Sequence, residues 1–308
     1  MEELVIISGK GGTGKTSLMA SFAALADTAV LADCDVDASD LPVLFPPTVL
    51  QKHEFSGGSR ARILPETCTG CATCLNVCRF GAVSRDGPAN ATLTETFRID
   101  PMACEGCGVC AHSCPAEAIE FTPAITGQWF VSDTRHGPMV HARLGPGQDN
   151  SGKLVGAVRT AACHMARERG IDLVLIDGPP GIGCPVTASL TGADMALVVT
   201  EPSVSGEHDL RRVGELTEHV GIPTLLCVNK WDLNRPSTRH IEHSAKEAGI
   251  QPVGRIRYDT AVTEAQIRGL SAVEHTSPGI VDDIGRVWRR VTDRLAALPK
   301  EPKEIAST

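Results

Sequence analysis

The chain has 308 residues, 42% apolar and 21% charged, which is enough for a buried core and excludes a wholly disordered protein. Its 29 basic and 37 acidic residues leave a net charge of −8, and aromatics are only 4%, which argues against a general nucleic-acid binder. There are twelve cysteines, no apolar run near the roughly 18–20 residues of a membrane span, and no secretory signal expected before the acidic start; together these point to a reducing cytoplasm and to metal ligands.

Residues 4–8 (LVIIS) form a short, continuous apolar run, the mark of a strand buried on both faces. A Gly-rich loop follows, then a predicted helix over 15–26 and a second buried strand over 29–32 that ends at Asp33. This β-loop-α-β opening begins a parallel α/β sheet. From roughly 42 to 152 the pattern stops: Gly, Pro, Cys and Thr dominate and no long helix is expected. It resumes with a helix over 154–169, a strand over 173–176, a helix after Pro185, and strands over 195–199 and 224–228. An insertion of about a hundred residues thus splits the sheet's sequence. The last predicted helix, 279–298, carries apolar residues at Ile280, Ile284, Val287, Val291 and Leu295, with Arg286, Arg289, Arg290 and Arg294 between them. Such a helix packs on a sheet or lies on a membrane surface.

Gly9-Lys10-Gly11-Gly12-Thr13-Gly14-Lys15-Thr16 satisfies G-x-x-x-x-G-K-[ST] between a strand and a helix. Glycines let backbone N–H groups crowd around a polyphosphate, and the helix start turns its positive end to the anion. In this pattern Lys15 meets the β- and γ-phosphates, the Thr16 hydroxyl ligates Mg²⁺, and Ser17 follows in the nucleotide-binding run. The second lysine within the loop, Lys10, is unusual.

GKGGTGKT resembles the deviant Walker A ATPases, the family of MinD, ParA, Mrp-type proteins and the nitrogenase iron protein. The resemblance implies ATP hydrolysis to ADP and phosphate in an ATP-dependent homodimer, or a heterodimer with a paralogue. There Lys10 reaches the partner's phosphates as a trans-acting catalytic cation; otherwise it is a solvated loop lysine. Asp33-Cys34-Asp35-Val36-Asp37 resembles the family's switch I, with Asp35 matching its catalytic carboxylate and contacting magnesium's water shell. Asp33 is a second candidate or a simple strand cap, and Asp37 a third. Asp177-Gly178-Pro179-Pro180-Gly181 resembles Walker B and switch II, so Asp177 is expected on Mg²⁺ through water. Asn229 and Lys230, closing the strand LLCV, fall where the family reads adenine, and Thr200-Glu201-Pro202 and 252–258 resemble its other base-side loops. The likeness spans about residues 1–41 and 153–298.

C-x2-C-x2-C-x3-C occurs twice: Cys68, Cys71, Cys74 and Cys78 recur 36 residues later as Cys104, Cys107, Cys110 and Cys114. This is the bacterial two-cluster ferredoxin spacing, in which each run's fourth cysteine serves the other cluster. One [4Fe–4S] cluster is therefore expected on Cys68, Cys71, Cys74 and Cys114, and a second on Cys104, Cys107, Cys110 and Cys78. Two structural zinc sites are the alternative. The first run ends Cys78-Arg79 where the signature has proline, as in Cys114-Pro115.

Cys184, seven residues past Asp177, is a candidate switch or dimer-bridging cluster cysteine, on similarity to the nitrogenase iron protein, or else a buried or reactive thiol. Cys34, Cys163 and Cys227 read as small core residues. His141 reads first as a structural residue, as a lone His more often is, and it and Arg143 are secondary interface candidates. The expected fold class is α/β: a mostly parallel P-loop NTPase sheet flanked by helices, with an inserted α+β ferredoxin-like domain. The expected domains are 1–60 plus 123–298 for the ATPase and 61–122 for the ferredoxin insert, with 299–308 a flexible tail. Electron transfer through both clusters to a redox partner, in an ATP-dependent reductase component, is the first functional expectation; cluster assembly or delivery and a MinD-like positioning role are alternatives. Neither nucleic-acid nor membrane association is expected.

Overall fold

The continuous apolar runs become strands buried on both faces, as a sheet covered by helices requires. The computed structural model describes residues 1–145, 148, 152–275 and 278–299, so the expected tail beyond residue 299 lies outside the described residues. In chain order the strands are β1 (Glu2–Ser8), β2 (Val30–Asp33), β3 (Thr48–Ile63), β4 (Val83–Gly87), β5 (Thr96–Ile99), β6 (Ile119–Thr134), β7 (Gly137–Leu144), β8 (Leu173–Pro180), β9 (Met195–Thr200), β10 (Thr224–Asn229) and β11 (Gln251–Ile256). Nine form one sheet in the order β11-β10-β9-β1-β8-β2-β7-β6-β3. The pairings of β1 with β8 and β9, of β2 with β7 and β8, and of β10 with β9 and β11 are all parallel.

The chain divides into two units: 1–53, 129–143 and 150–308 make one, and 54–128 with 144–149 the other. The sequence had suggested divisions at 60/61 and 122/123. The two 16-residue strands β3 and β6 each run from one unit into the other, so the divisions fall within strands. Long strands were not apparent in the sequence there, because Gly57-Gly58 and Pro123 interrupt the alternation.

In the larger unit, helix Lys15–Leu25 packs on the sheet through Leu18, Met19 and Phe22. The terminal helix Ile280–Ala296 buries all five of its apolar stripe residues, Ile280, Ile284, Val287, Val291 and Leu295. Gly254 of β11 allows this close approach: a Cβ there would stand 2.6 Å from a Val287 methyl. The stripe is thus consumed by the core, and among the described residues no helix is long and apolar enough to cross a membrane.

β7 was not foreseen, yet it holds the strand that ends at Asp33, with Asp33 opposite His141 in the parallel register. His141 is buried rather than interfacial: its Nε2 lies 3.0 Å from the Ser132 hydroxyl and its ring stacks on Phe130. Burial, with Arg143 nearby, pushes its pKa down to about 4, so the ring is neutral. The two-residue turn between β6 and β7, Arg135-His136, is pinned by Glu274. Arg135 donates to both Glu274 carboxylate oxygens at 2.8 and 3.0 Å and to the carbonyls of Leu44 and Gly269.

The smaller unit has its own core around Ile63, Val83, Phe97 and Ile99, with β4 and β5 as an antiparallel pair.

Burial works to raise the Glu274 pKa, but hydrogen bonds from Arg135, Ser271 and His136 outweigh it and hold the carboxyl well below the ordinary range. A depressed carboxylate pKa stabilises the fold above the unfolded value of about 4.3, and that contribution fades as the pH falls below it. Glu274→Gln is expected to lower Tm at neutral pH, with the gap to wild type narrowing as pH falls from about 5 toward 2. Thermal melts across that range check this; a constant gap would contradict it.

Candidate functional site

β1 delivers the chain to the phosphate loop, and Gly14 turns it into the helix. Gly14 has φ +93°, and a Cβ there would lie 2.4 Å from Asn229 Nδ2, so only glycine fits. No side chain caps this helix start, which leaves its first N–H groups directed at the cleft. The loop lines a cleft of about 640 Å³ together with Asp35, Asp37, Pro179, Asn229 and Lys230.

At the floor of the cleft lies a buried charge cluster. Lys15 Nζ donates to Asp177 Oδ1 at 2.9 Å and to Asp35 Oδ2 at 3.1 Å. Burial works to lower the Lys15 pKa, but the Asp177 and Asp35 carboxylates outweigh it and hold it above its usual value. Burial dominates at Asp35 and raises its pKa despite Lys15. Asp33 does more than end its strand. It accepts hydrogen bonds from the Ser39 hydroxyl at 2.8 Å and from the N–H groups of Asp35 and Leu41, and so shapes the loop that presents Asp35. Complete burial, with the Asp177 charge nearby, pushes its carboxyl up to about 8.

Among the described residues, two buried oxygens in this region have no hydrogen-bond partner, Asp177 Oδ2 and Thr13 Oγ1. An uncompensated buried carboxylate oxygen is costly, and a metal-bound water would satisfy it. The residues present therefore fit a Mg²⁺–nucleotide, with Thr16 at the mouth of the cleft and its hydroxyl 3.5 Å from Lys15 Nζ. The Ser17 hydroxyl accepts from Gln266 at 2.7 Å.

Lys10 is not simply solvated. Its Nζ lies 2.5 Å from Glu201 Oε1 and donates to the Ser205 and Ser203 hydroxyls at 2.9 and 3.3 Å. The other Glu201 oxygen pairs with Lys230 at 3.1 Å, and Lys230 also donates to the Gly12 carbonyl. Burial works to raise the Glu201 pKa, but the two lysines outweigh it and lower it. Asn229 donates to the Thr13 carbonyl and accepts from the Lys230 N–H, which ties the end of β10 to the phosphate loop. The sequence placed Glu201 in a loop but gave no sign that it bridges both lysines.

The structure brings the eight repeated cysteines around two cavities in the smaller unit. Cys68, Cys71, Cys74 and Cys114 line one; Cys78, Cys104, Cys107 and Cys110 line the other. The repeat extends to the backbone. The left-handed residues Gly70, Ala72 and Gly81 recur 36 positions later as Gly106, Gly108 and Glu117. At Gly106 a Cβ would stand 2.1 Å from the Ser59 carbonyl oxygen. Four thiols around each of two cavities suit cubane clusters, whose corners each take one thiolate. Cys184 is exposed and opens helix Cys184–Leu190, while Cys34, Cys163 and Cys227 are buried.

Residues 53–118 match the 4Fe-4S dicluster domain family. Over 235 residues the chain is 35% identical to the uncharacterised protein MJ0578 of Methanocaldococcus jannaschii, covering 75% of this chain and 79% of that protein. The chain belongs to the MJ0578 family. A second protein of that organism, MJ0579, also uncharacterised, is 25% identical over 285 residues, 89% of this chain and 94% of its own length. Among solved structures, a chain of the MinC:MinD cell division protein complex of Aquifex aeolicus superposes with TM-score 0.55 at 18% identity, covering 98% of this chain and 99% of that one. MinD of Pyrococcus horikoshii with Mg-ADP gives 0.54 at 15%, over 96% and 97%. The chain thus has a MinD-like fold, with a match to the 4Fe-4S dicluster domain at residues 53–118 within it.

Lys15→Ala would leave Asp35 and Asp177 without their buried cation, a loss of about 3–5 kcal/mol for a broken buried pair. The variant is expected to melt lower and to lose ATP binding by calorimetry. Wild-type affinity for ATP in this variant would contradict the assignment.

Proposed function

We propose that this MJ0578-family chain is an ATP-driven iron–sulfur protein that binds and hydrolyses Mg·ATP, closes as a dimer across Lys10, and passes electrons through two [4Fe–4S] clusters to a protein partner. Bound Mg·ATP supplies hydrolysis energy and the clusters supply one-electron redox capacity. Within that frame Lys15 would move from Asp35 and Asp177 to neutralise phosphate charge, Thr16 and Asp177 would hold the metal, and Asp35 would orient the attacking water. Glu201 holds Lys10 in its own chain until the partner's phosphates compete for it. Asn229 and Lys230 border the base.

One observation carries the coupling of nucleotide to clusters. β7, the neighbour of the switch I strand β2, follows β6 after two residues, and β6 begins only five residues after Cys114. The chain that carries the cysteines is thereby continuous, through β6, with the strand that pairs with β2. A shift of switch I on hydrolysis has a covalent route to the clusters.

Pairing with a paralogue is the alternative to a homodimer. A cluster carrier is disfavoured because four cysteines per cavity bind a cluster fully, whereas delivery needs an incompletely held one. A membrane-positioning role is disfavoured because the terminal helix buries its apolar stripe. The exposed Cys184 thiol is open to a bridging role: about eight irons per chain assigns it none, and an excess on dimerisation assigns it one.

ATP turnover by the reconstituted protein, with dimerisation followed by light scattering, tests this reading. Lys10→Ala is expected to leave ATP binding in place and to lower kcat on the order of 10³-fold, the scale of a lost trans-acting cation. An unchanged kcat, or turnover by a strict monomer, would contradict it.

A further inference from the structure

The two cysteine cavities are related by the internal repeat, so each serves as a control for the other. Around the second, the cavity of Cys78, Cys104, Cys107 and Cys110, large apolar side chains stand in solvent. Phe80 and Val109 line its rim and are 50% and 47% exposed. Phe121 lies over Gly108, where a Cβ would come within 3.1 Å of its ring, and is 41% exposed. Met102, two residues before Cys104, is 62% exposed. The same positions in the other half, 36 residues away, are Ala116 for Phe80, Thr73 for Val109, Arg85 for Phe121 and Glu66 for Met102. All four are small, polar or charged. The repeat retained its ligands and turns, and its exposed apolar side chains are concentrated over the second cavity; beside the first, Leu75, next to Cys74, is 40% exposed where the other half has Ala111.

Exposed aromatic and aliphatic side chains around one site mark a protein-binding surface rather than ordinary solvent-facing residues. The surroundings give the partner's charge. Residues 54–128 carry five arginines against eight carboxylates, and cluster-bound thiolates add more negative charge. A basic rim would complement this unit, and an apolar centre would cover Phe80 and Val109.

We propose that the surface over the second cavity, centred on Phe80, Val109 and Phe121, is the docking site for a one-electron carrier protein with an apolar face and a basic rim. The cluster held by Cys78, Cys104, Cys107 and Cys110 is the one that exchanges electrons with it. One electron leaves the reduced cluster, oxidising it by one unit, and reduces the partner's centre by one. This deepens the electron-transfer reading above and rests on it.

The test uses the reconstituted full chain, reduced with dithionite and mixed anaerobically with cytochrome c, a basic one-electron haem protein. F80A/V109T introduces the residues found at the equivalent positions of the other half, and Met102→Glu is an independent second variant. Each is expected to slow the second-order rate by about tenfold, which is 1.4 kcal/mol of encounter stabilisation, with iron content, cluster spectra and ATP turnover unchanged. Thr73→Ser with Ala116→Ser, over the first cavity, should leave the rate unchanged. The wild-type rate should also fall as salt is raised. A wild-type rate in F80A/V109T and Met102→Glu would overturn the docking surface and leave electron transfer standing. A wild-type protein whose clusters are reduced by dithionite yet pass no electron would overturn electron transfer itself. Self-association of the wild type in sedimentation, lost in F80A/V109T, would replace the carrier by a second copy of this chain.

Discussion

A buried ammonium held between two carboxylates organises the nucleotide half of this protein. Lys15 comes from the helix after β1, Asp35 from the loop after β2 and Asp177 from β8, so one ion pair joins three segments. Such a cluster is stable only while its charges stay matched, because removing one member leaves the others buried and unpaired. Drawing Lys15 toward a phosphate therefore creates a demand for a cation near Asp35 and Asp177. The orphaned Asp177 oxygen is where that demand is already visible. Polyphosphate and metal are expected to enter together for reasons of charge alone.

The same logic recurs beside the phosphate loop on a softer scale. One carboxylate, Glu201, holds both Lys10 and Lys230, and both lysines are about a third exposed. Pairs of that kind contribute little to stability, so Lys10 can exchange partners at low cost. The contrast between the two sites is one of burial: Lys15 is locked between two buried carboxylates, while Lys10 sits in a partly exposed pair that can be exchanged.

Much of this could be read from the sequence, because its main signals are local. The glycines and lysines of the phosphate loop, the spacing of eight cysteines and the buried central strands each depend on a few adjacent residues. The strands β3, β6 and β7 could not, since Gly57-Gly58 and Pro123 break the alternation and β7 is explained only by its pairing with β2. Glu201 was visible as a loop residue, but its hold on Lys10 spans 191 positions and leaves no local signal. Asp33 could be read as a second candidate carboxylate or as a cap. Its role in shaping switch I depends on Ser39 and Leu41 folding back onto it. The burial of His141 between two strands cannot be read from either of them alone, although a lone histidine is more often structural.

The central claim is that nucleotide state and cluster chemistry are linked through the sheet. A potentiometric titration of the reconstituted protein, followed by electron paramagnetic resonance with and without Mg·ATP, tests it most directly. The account predicts that at least one cluster's midpoint moves with ATP by on the order of 60 mV, a tenfold change in a one-electron equilibrium. Superimposable titrations, in a protein shown to bind ATP under the same conditions, would contradict it.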